Sequence, residues 1–379
     1  MIYFDNAATT FPKPAAVQAA SAEAFTRYGA NPGRSGHPMS IDTATRVYEA
    51  REKAAAFLGA EQPEDAAFTL NCTHAVNIAL KGLLCQGDHV ILSDLEHNAV
   101  LRPLHALYER GIISYSIAET FSDPGATVRS FSRLIRPETR LIAATHASNV
   151  FGLRLPIKEL GELCRQRDIL FLVDAAQTAG VVPIDARATG IDFLCAAGHK
   201  GLYGPSGTGL LITPLGSLLE TITEGGTGSH SAEYSQPRDM PDRLESGTVN
   251  TMGILGLGAG IEWVSKITPQ KIYAHEMKVA THVFERLKRI KGVILYTPDF
   301  GPGSHMPVVA FNLEGKSSEE VTSRLGDMGF ALRGGLHCAP LAHQKMGTLS
   351  QGAARISVGV FNTEQEADSL CDAVKKLAG

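Results

Sequence analysis

The sequence predicts an α/β protein, with a large domain on a mostly parallel seven-stranded sheet and a small C-terminal α+β domain. Three observations predict it. Short apolar runs alternate with helical stretches from residue 67 to residue 213, as in a sheet covered on both faces. Beyond residue 290 the pattern changes to a few strands with two helices. The chain has 379 residues, 44% hydrophobic and 20% charged, enough to bury such a core without staples.

The elements follow in order. Residues 1–15 read as an arm, 16–260 as the large domain and 261–379 as the small one, with the arm packing near it. Pro12 and Pro14 lead into a helix at 14–28, and a loop of turn formers, Gly29–His37, precedes a second helix at 40–58. Strands are expected at 67–70, 89–93, 113–117, 141–145, 169–173, 192–196 and 208–213, with helices at 75–84, 97–110, 126–135 and 156–167 between them. After a Gly-, Ser- and Pro-bearing loop at 224–241 come helices at 251–265 and 269–290. The small domain offers strands at 293–296, 307–313, 330–333 and 354–358 and helices at 317–328 and 363–377.

The bulk properties exclude several classes. A net charge of −4 without a basic tract gives no reason to expect nucleic acid. No apolar run reaches membrane-spanning length, and Met1–Asp5 lacks the basic and apolar regions of a signal peptide, so the expectation is a cytoplasmic protein. None of the six cysteines forms a C-x-x-C pair, which argues against a zinc or dithiol site; no metal is expected, and most thiols should be free core filler.

Four stretches carry chemistry. Gly198-His199-Lys200-Gly201-Leu202-Tyr203-Gly204-Pro205 puts a lysine in a glycine-rich turn between two apolar runs. Desolvation there lowers the amine's pKa, and a free amine can form a Schiff base with an aldehyde cofactor such as pyridoxal 5'-phosphate (PLP); a surface lysine in a hairpin loop is the plainer alternative. Asp174 ends the apolar run Ile169–Val173, where a buried carboxylate needs a partner such as a protonated pyridine nitrogen, with Gln177 in reach of the ring oxygen. One crossover and one strand separate Asp174 from Lys200, which places both at the same end of neighbouring strands. Thr73 reads as the N-cap of a helix whose free N–H groups suit a phosphate, and His97 follows a strand at the ligand end of the sheet, able to stack on a flat ring and move protons.

These stretches, together with Phe4-Asp5-Asn6-Ala7-Ala8-Thr9-Thr10, Cys72-Thr73-His74-Ala75, His146-Ala147-Ser148-Asn149, Glu245-Ser246-Gly247-Thr248, Arg333-Gly334-Gly335-Leu336-His337-Cys338-Ala339 and Arg355-Ile356-Ser357, run close to the whole length of the chain. In them the sequence resembles the class V aminotransferase family of PLP enzymes, and within it the cysteine desulfurase and selenocysteine lyase branch, group II-like at Cys338. The resemblance implies a PLP-dependent transferase of fold type I and a cytoplasmic homodimer with sites at its interface. Lys200 would carry the cofactor, His97 stack on its ring, Asp174 pair with the ring nitrogen and Gln177 with the ring hydroxyl. Thr73, His74 and His199 would serve the phosphate. A serine common in the family as a further phosphate donor is here Ala197. Thr248 and the loop Gly225-Gly226-Thr227-Gly228 would reach the partner's cofactor. Asn149, Arg355, His37 and Ala8 are implied on the substrate side, Arg355 through its bidentate fork.

Cys338 chooses the reaction that the resemblance implies. Arg333 and His337 lie close in sequence, and positive neighbours favour a thiolate nucleophile. The expected activity is a desulfurase that converts L-cysteine to L-alanine, with a persulfide on Cys338 passed to a sulfur-acceptor protein. L-selenocysteine lyase chemistry, a class V aminotransferase without desulfurase activity, and a non-catalytic scaffold are the alternatives.

Overall fold

Buried strands joined by amphipathic helices dictate a layered molecule, and the layers follow the sequence closely. The structure, a computed structural model, describes residues 1–33, 35–297 and 299–379. In chain order it contains β1 (Ile2–Tyr3), α1 (Ala15–Thr26), α2 (Pro38–Leu58), β2 (Ala66–Thr69), α3 (Cys72–Leu83), β3 (His89–Ser93), α4 (Asn98–Glu109), β4 (Ser114–Ala118), α5 (Pro124–Arg133), β5 (Thr139–Thr145), α6 (Ile157–Arg167), β6 (Leu170–Asp174), α7 (Ala186–Thr189), β7 (Phe193–Ala197) and β8 (Gly209–Ile212). Then follow α8 (Thr251–Ile267), α9 (Pro269–Leu287), β9 (Val293–Leu295), β10 (Val308–Leu313), α10 (Ser318–Asp327), β11 (Phe330–Ala331), α11 (Pro340–Lys345), β12 (Ala354–Ser357) and α12 (Glu364–Ala378).

The large sheet has seven strands in the order β2-β8-β7-β6-β5-β3-β4. Strands β3 to β7 pair in parallel, and β8 runs antiparallel to both of its neighbours. Side chains alternate between two cores. Ile142 and Ala144 of β5 join Phe171 and Val173 of β6 on one face, while Leu141, Ala143 and Leu172 enter the core on the other. Each large aliphatic or aromatic side chain so buried contributes roughly 1.5–3 kcal/mol. A third core joins Phe4 of the arm to α9, α10, α12 and the sheet β12-β10-β9.

Local chemistry moves some boundaries. Helix α3 starts at Cys72, ahead of the expected 75, because Asn71 rather than Thr73 is the cap: Asn71 Oδ1 accepts from His74 N–H at 2.9 Å. The segment expected as a strand at 330–333 is trimmed to β11, which pairs in parallel with β1 of the arm, while Arg333 beyond it makes a single antiparallel bridge to Arg355 of β12. Helices α7 and α11, of four and six residues, are too short to carry a readable period. Among the described residues no helix is long and apolar enough to cross a membrane. All six cysteines are free; four are buried, while Cys85 and Cys338 are exposed.

Candidate active site

Strands β5, β6 and β7 end side by side, with Thr145 opposite Asp174 and Asp174 opposite Cys195. Beyond these carboxyl ends, where a parallel sheet binds its ligands, lies a cavity of about 330 Å³. Its wall includes Lys200, Asp174, Gln177, His97, Thr73 and His199. Ala8, Asn149, Arg355 and Cys338 complete the sequence-nominated residues in that wall.

Lys200 sits in the turn between β7 and β8. Tyr203 N–H donates to Lys200 O at 2.8 Å and Gly204 N–H to Gly198 O at 2.8 Å, which closes the turn. Helix α8 packs behind it, and a Cβ at Gly260 would stand 2.4 Å from Leu202 O, so only glycine permits the approach. Burial lowers the amine's pKa against the opposing pull of Asp174, with Arg355 and Arg333 adding to the lowering. The arm grips the same turn: Lys13 Nζ donates to His199 O at 2.7 Å and Thr10 Oγ1 to Lys200 O at 3.0 Å. Sequence reasoning passed over Lys13, whose partners are backbone atoms far along the chain.

Asp174 Oδ1 accepts from Ala176 N–H at 2.9 Å and from the Cys72 thiol at 3.3 Å. Its other oxygen has no hydrogen bond among the described residues. Cys72, expected as core filler, therefore belongs to this wall. His97 caps α4, its Nδ1 accepting from Ala99 N–H at 3.0 Å, so the neutral ring carries its proton on Nε2. Burial pulls the His97 pKa down, and it pulls His199 down to about 4, with the charges of Lys200 and Lys13 helping.

Arg355 is wholly buried at 1% exposure. One end of its fork pairs with Asp5 Oδ1 of the arm at 2.5 Å, the other donates to Asn149 O at 2.9 Å, and Nε is left without a partner among the described residues. Asn149 Nδ2 donates to His337 O at 2.7 Å, and Asn98 N–H donates to Cys338 O at 2.7 Å. His337 and Cys338 both adopt left-handed backbone, at φ 50° and 57°. The His337 ring stacks on His343 and is buried, its pKa pushed down to about 3 by burial and by Arg355. It is uncharged near neutral pH, so of the two positive neighbours expected for Cys338 only Arg333 brings a charge to this wall.

The description of the aminotransferase class-V family matches residues 2–370 of the chain. The chain belongs to that family. A probable cysteine desulfurase of Methanothermobacter thermautotrophicus is 33% identical over 387 residues, covering 100% of this chain and 95% of the relative. A cysteine desulfurase of Klebsiella pneumoniae is 34% identical over 390 residues, covering 100% of this chain and 93% of the relative. The apo structure of the cysteine desulfurase from Thermococcus onnurineus superposes with a TM-score of 0.92 at 30% identity, covering 100% of this chain and 94% of that one.

Class-V aminotransferases are PLP enzymes, and the cavity's donor set fits that group. A buried amine at Lys200, a carboxylate oxygen of Asp174 without a hydrogen bond among the described residues, and the first turn of α3 at Thr73 line one space, with Asn149 and Arg355 in the same wall. Ala197 lines the wall with no donor of its own, leaving Thr73 and His199 for an anion. Three nominated residues of this class-V chain stand outside the cavity in the single protomer. His74 and Thr248 line a neighbouring cavity of about 310 Å³, and His74 Nδ1 accepts from Leu70 N–H. His37 caps α2, accepting from Ser40 N–H at 3.3 Å.

Proposed function

We propose that this chain is a PLP-dependent cysteine desulfurase that converts L-cysteine to L-alanine and holds the sulfur as a persulfide on Cys338. The observation that carries the reading is an exposed thiol in the same cavity wall as a buried lysine and a strand-ending aspartate. When bound, the cofactor supplies an electron sink for the substrate's Cα electrons. Lys200 would hold it covalently, Asp174 would keep its ring nitrogen protonated, Gln177 would serve the ring hydroxyl, and Thr73 and His199 would hold the phosphate. Arg355 and Asn149 orient the substrate carboxylate, with Ala8 beside it. The Lys200 amine, once the substrate's amine has displaced it, is poorly solvated and so available uncharged; it takes the Cα proton, and His97 assists from Nε2.

Cys338 then attacks the substrate sulfur. The S–S bond forms as the substrate's C–S bond breaks, and that bond's electron pair leaves with carbon, which is protonated to give alanine. A thiol of an acceptor protein takes the sulfur and restores Cys338. We infer a homodimer in which Thr248, the 225–228 loop and His37 serve the partner's site, since within one protomer Thr248, Thr227 and Gly228 line other cavities and His37 caps α2. Six free cysteines suit a reducing, cytoplasmic setting.

The test is to incubate PLP-loaded protein with L-cysteine and a reductant and to measure alanine and sulfide. Equal yields of both are expected. Amino transfer to a keto acid without sulfide would replace the reading with a transaminase, and a rate on selenocysteine far above that on cysteine would replace it with a lyase.

A further inference from the structure

Glu96 has no part in the reaction above, yet it is fully buried one residue before His97. Its Oε1 accepts from Ser93 Oγ at 2.5 Å and from Thr145 N–H at 2.7 Å. Ser93 ends β3 and Thr145 ends β5, two paired strands, so one side chain fastens both ends together beneath the cavity. Its Oε2 has no partner among the described residues. Among the described residues no ion pair reaches Glu96; the most buried pairs are Arg51–Glu245, Arg355–Asp5 and, two residues away, Lys345–Asp94.

A carboxylate in that position would surrender its hydration for two neutral donors on a single oxygen, a loss that protonation lowers to that of one unpaired O–H at Oε2. The groups around it favour the same outcome. Asp174 on β6 stands opposite Thr145 and repels a second negative charge. Asp94, in the same turn, is already held by Thr120 and Lys345. His146, next along from Thr145, is buried and uncharged, its pKa down to about 3, and His97 is pulled down by burial as well. Burial pushes Glu96 itself up to about 8.

We propose that Glu96 is a positioning residue, an uncharged clasp across the ends of β3 and β5 that sets His97 in the cavity wall and leaves the negative charge there to Asp174. The clasp rests on the reading of His97 as catalytic; the state of the acid does not. Glu96→Gln keeps an acceptor oxygen for Ser93 and Thr145 without any charge, whereas Glu96→Ala removes the clasp.

The deciding experiment uses cofactor-free protein and follows the thermal unfolding midpoint from pH 5 to pH 9 for wild type and Glu96→Gln. An acid whose folded pKa is raised contributes stability that is full below its unfolded pKa and lost as pH climbs through the folded value. Wild type therefore sheds that contribution between the ordinary carboxyl range and about pH 8, and the glutamine variant does not. The midpoint of Glu96→Gln minus that of wild type should widen by roughly 4 °C or more over this window and then level off. A difference that stays constant from pH 5 to pH 8 means an ionised Glu96 and overturns the proposal.

A second readout uses the PLP-loaded enzyme. Glu96→Ala should lower kcat about tenfold or more with a smaller change in KM, and Glu96→Gln should recover most of that loss. Equal impairment of the two variants would mean that the charge is needed, and would overturn the proposal. If the alanine variant does not fold, the pH series on the glutamine variant decides alone. Because that series needs no turnover, failure of the clasp and failure of the desulfurase reading are separable.

Discussion

The turn that carries Lys200 and the loop that carries Cys338 face one cavity under opposite constraints. Lys200 is held in a crowded interior: the arm grips the carbonyls of His199 and Lys200, and α8 presses on the turn through Gly260. Cys338 is exposed and stands on two consecutive left-handed residues without glycine, a conformation that costs on the order of 1–3 kcal/mol per residue. Two hydrogen bonds to the carbonyls of His337 and Cys338 hold that shape. Moving a proton asks for a desolvated amine in a fixed place, whereas handing sulfur to another molecule asks for a thiol at the surface. In the proposed reaction the two segments divide these demands between them.

The largest effect expected from breaking the comparison is at Lys200. Lys200→Ala should lower alanine production at least ~1000-fold while the fold persists. Alanine formed at an undiminished rate would show that the buried turn is not the reactive side. Cys338→Ala should still bind cysteine and change the cofactor's absorbance, yet lose sulfur transfer on the order of a hundredfold. Activity on selenocysteine should fall less, because the C–Se bond breaks more easily; equal losses on both substrates would assign the cysteine a structural role.

Smaller changes sharpen the comparison on the buried side. Lys13→Met removes an amine donor from His199 O and, above pH 8, should cost about 1 kcal/mol of stability, read by denaturant unfolding. Burial holds the Lys13 pKa down near 8, so its charge opposes folding below that pH and the opposition fades as pH rises toward 10.5. Wild type should accordingly gain on Lys13→Met between pH 8 and 10, and a gap that stays flat would show an unperturbed lysine. Smallest of all, Cys72→Ala removes one of two donors on Asp174 Oδ1 and should lower kcat only a few-fold, about 1 kcal/mol or less. A hundredfold loss there would place Cys72 in the chemistry itself.

Much of this site was legible because its parts have local signatures. An apolar run that ends in Asp174 and a lysine between glycines declare a strand end and a tight turn, and the crossover between them fixes their shared side. Thr73 reads as a cap because threonine caps well, but Asn71 two residues earlier caps at least as strongly and is the residue that accepts from His74 N–H. His337 was counted as a positive neighbour from sequence distance alone; its burial against His343 is a tertiary fact that no spacing announces. The Asp5–Arg355 pair and the grip of Lys13 on His199 join residues 350 and 186 positions apart, beyond any periodic signal. His74 and Thr248 belong to a cavity beside this one, a placement that motif order along a chain does not encode.

The arm also sets an order of events during synthesis. Its residues are made long before their partners, since Ile2 pairs with Phe330 and Asp5 with Arg355, 350 positions further along. A nascent chain that already carries Asp174 and Lys200 still lacks the strand that bears Arg355 and the loop that bears Cys338. Contacts of such sequence separation form late, after the entropy of closing a long loop has been met. The arm is thus a latch thrown last, and a polypeptide released before residue 330 carries the lysine turn without the strand and the arginine that the arm fastens to, and without Cys338.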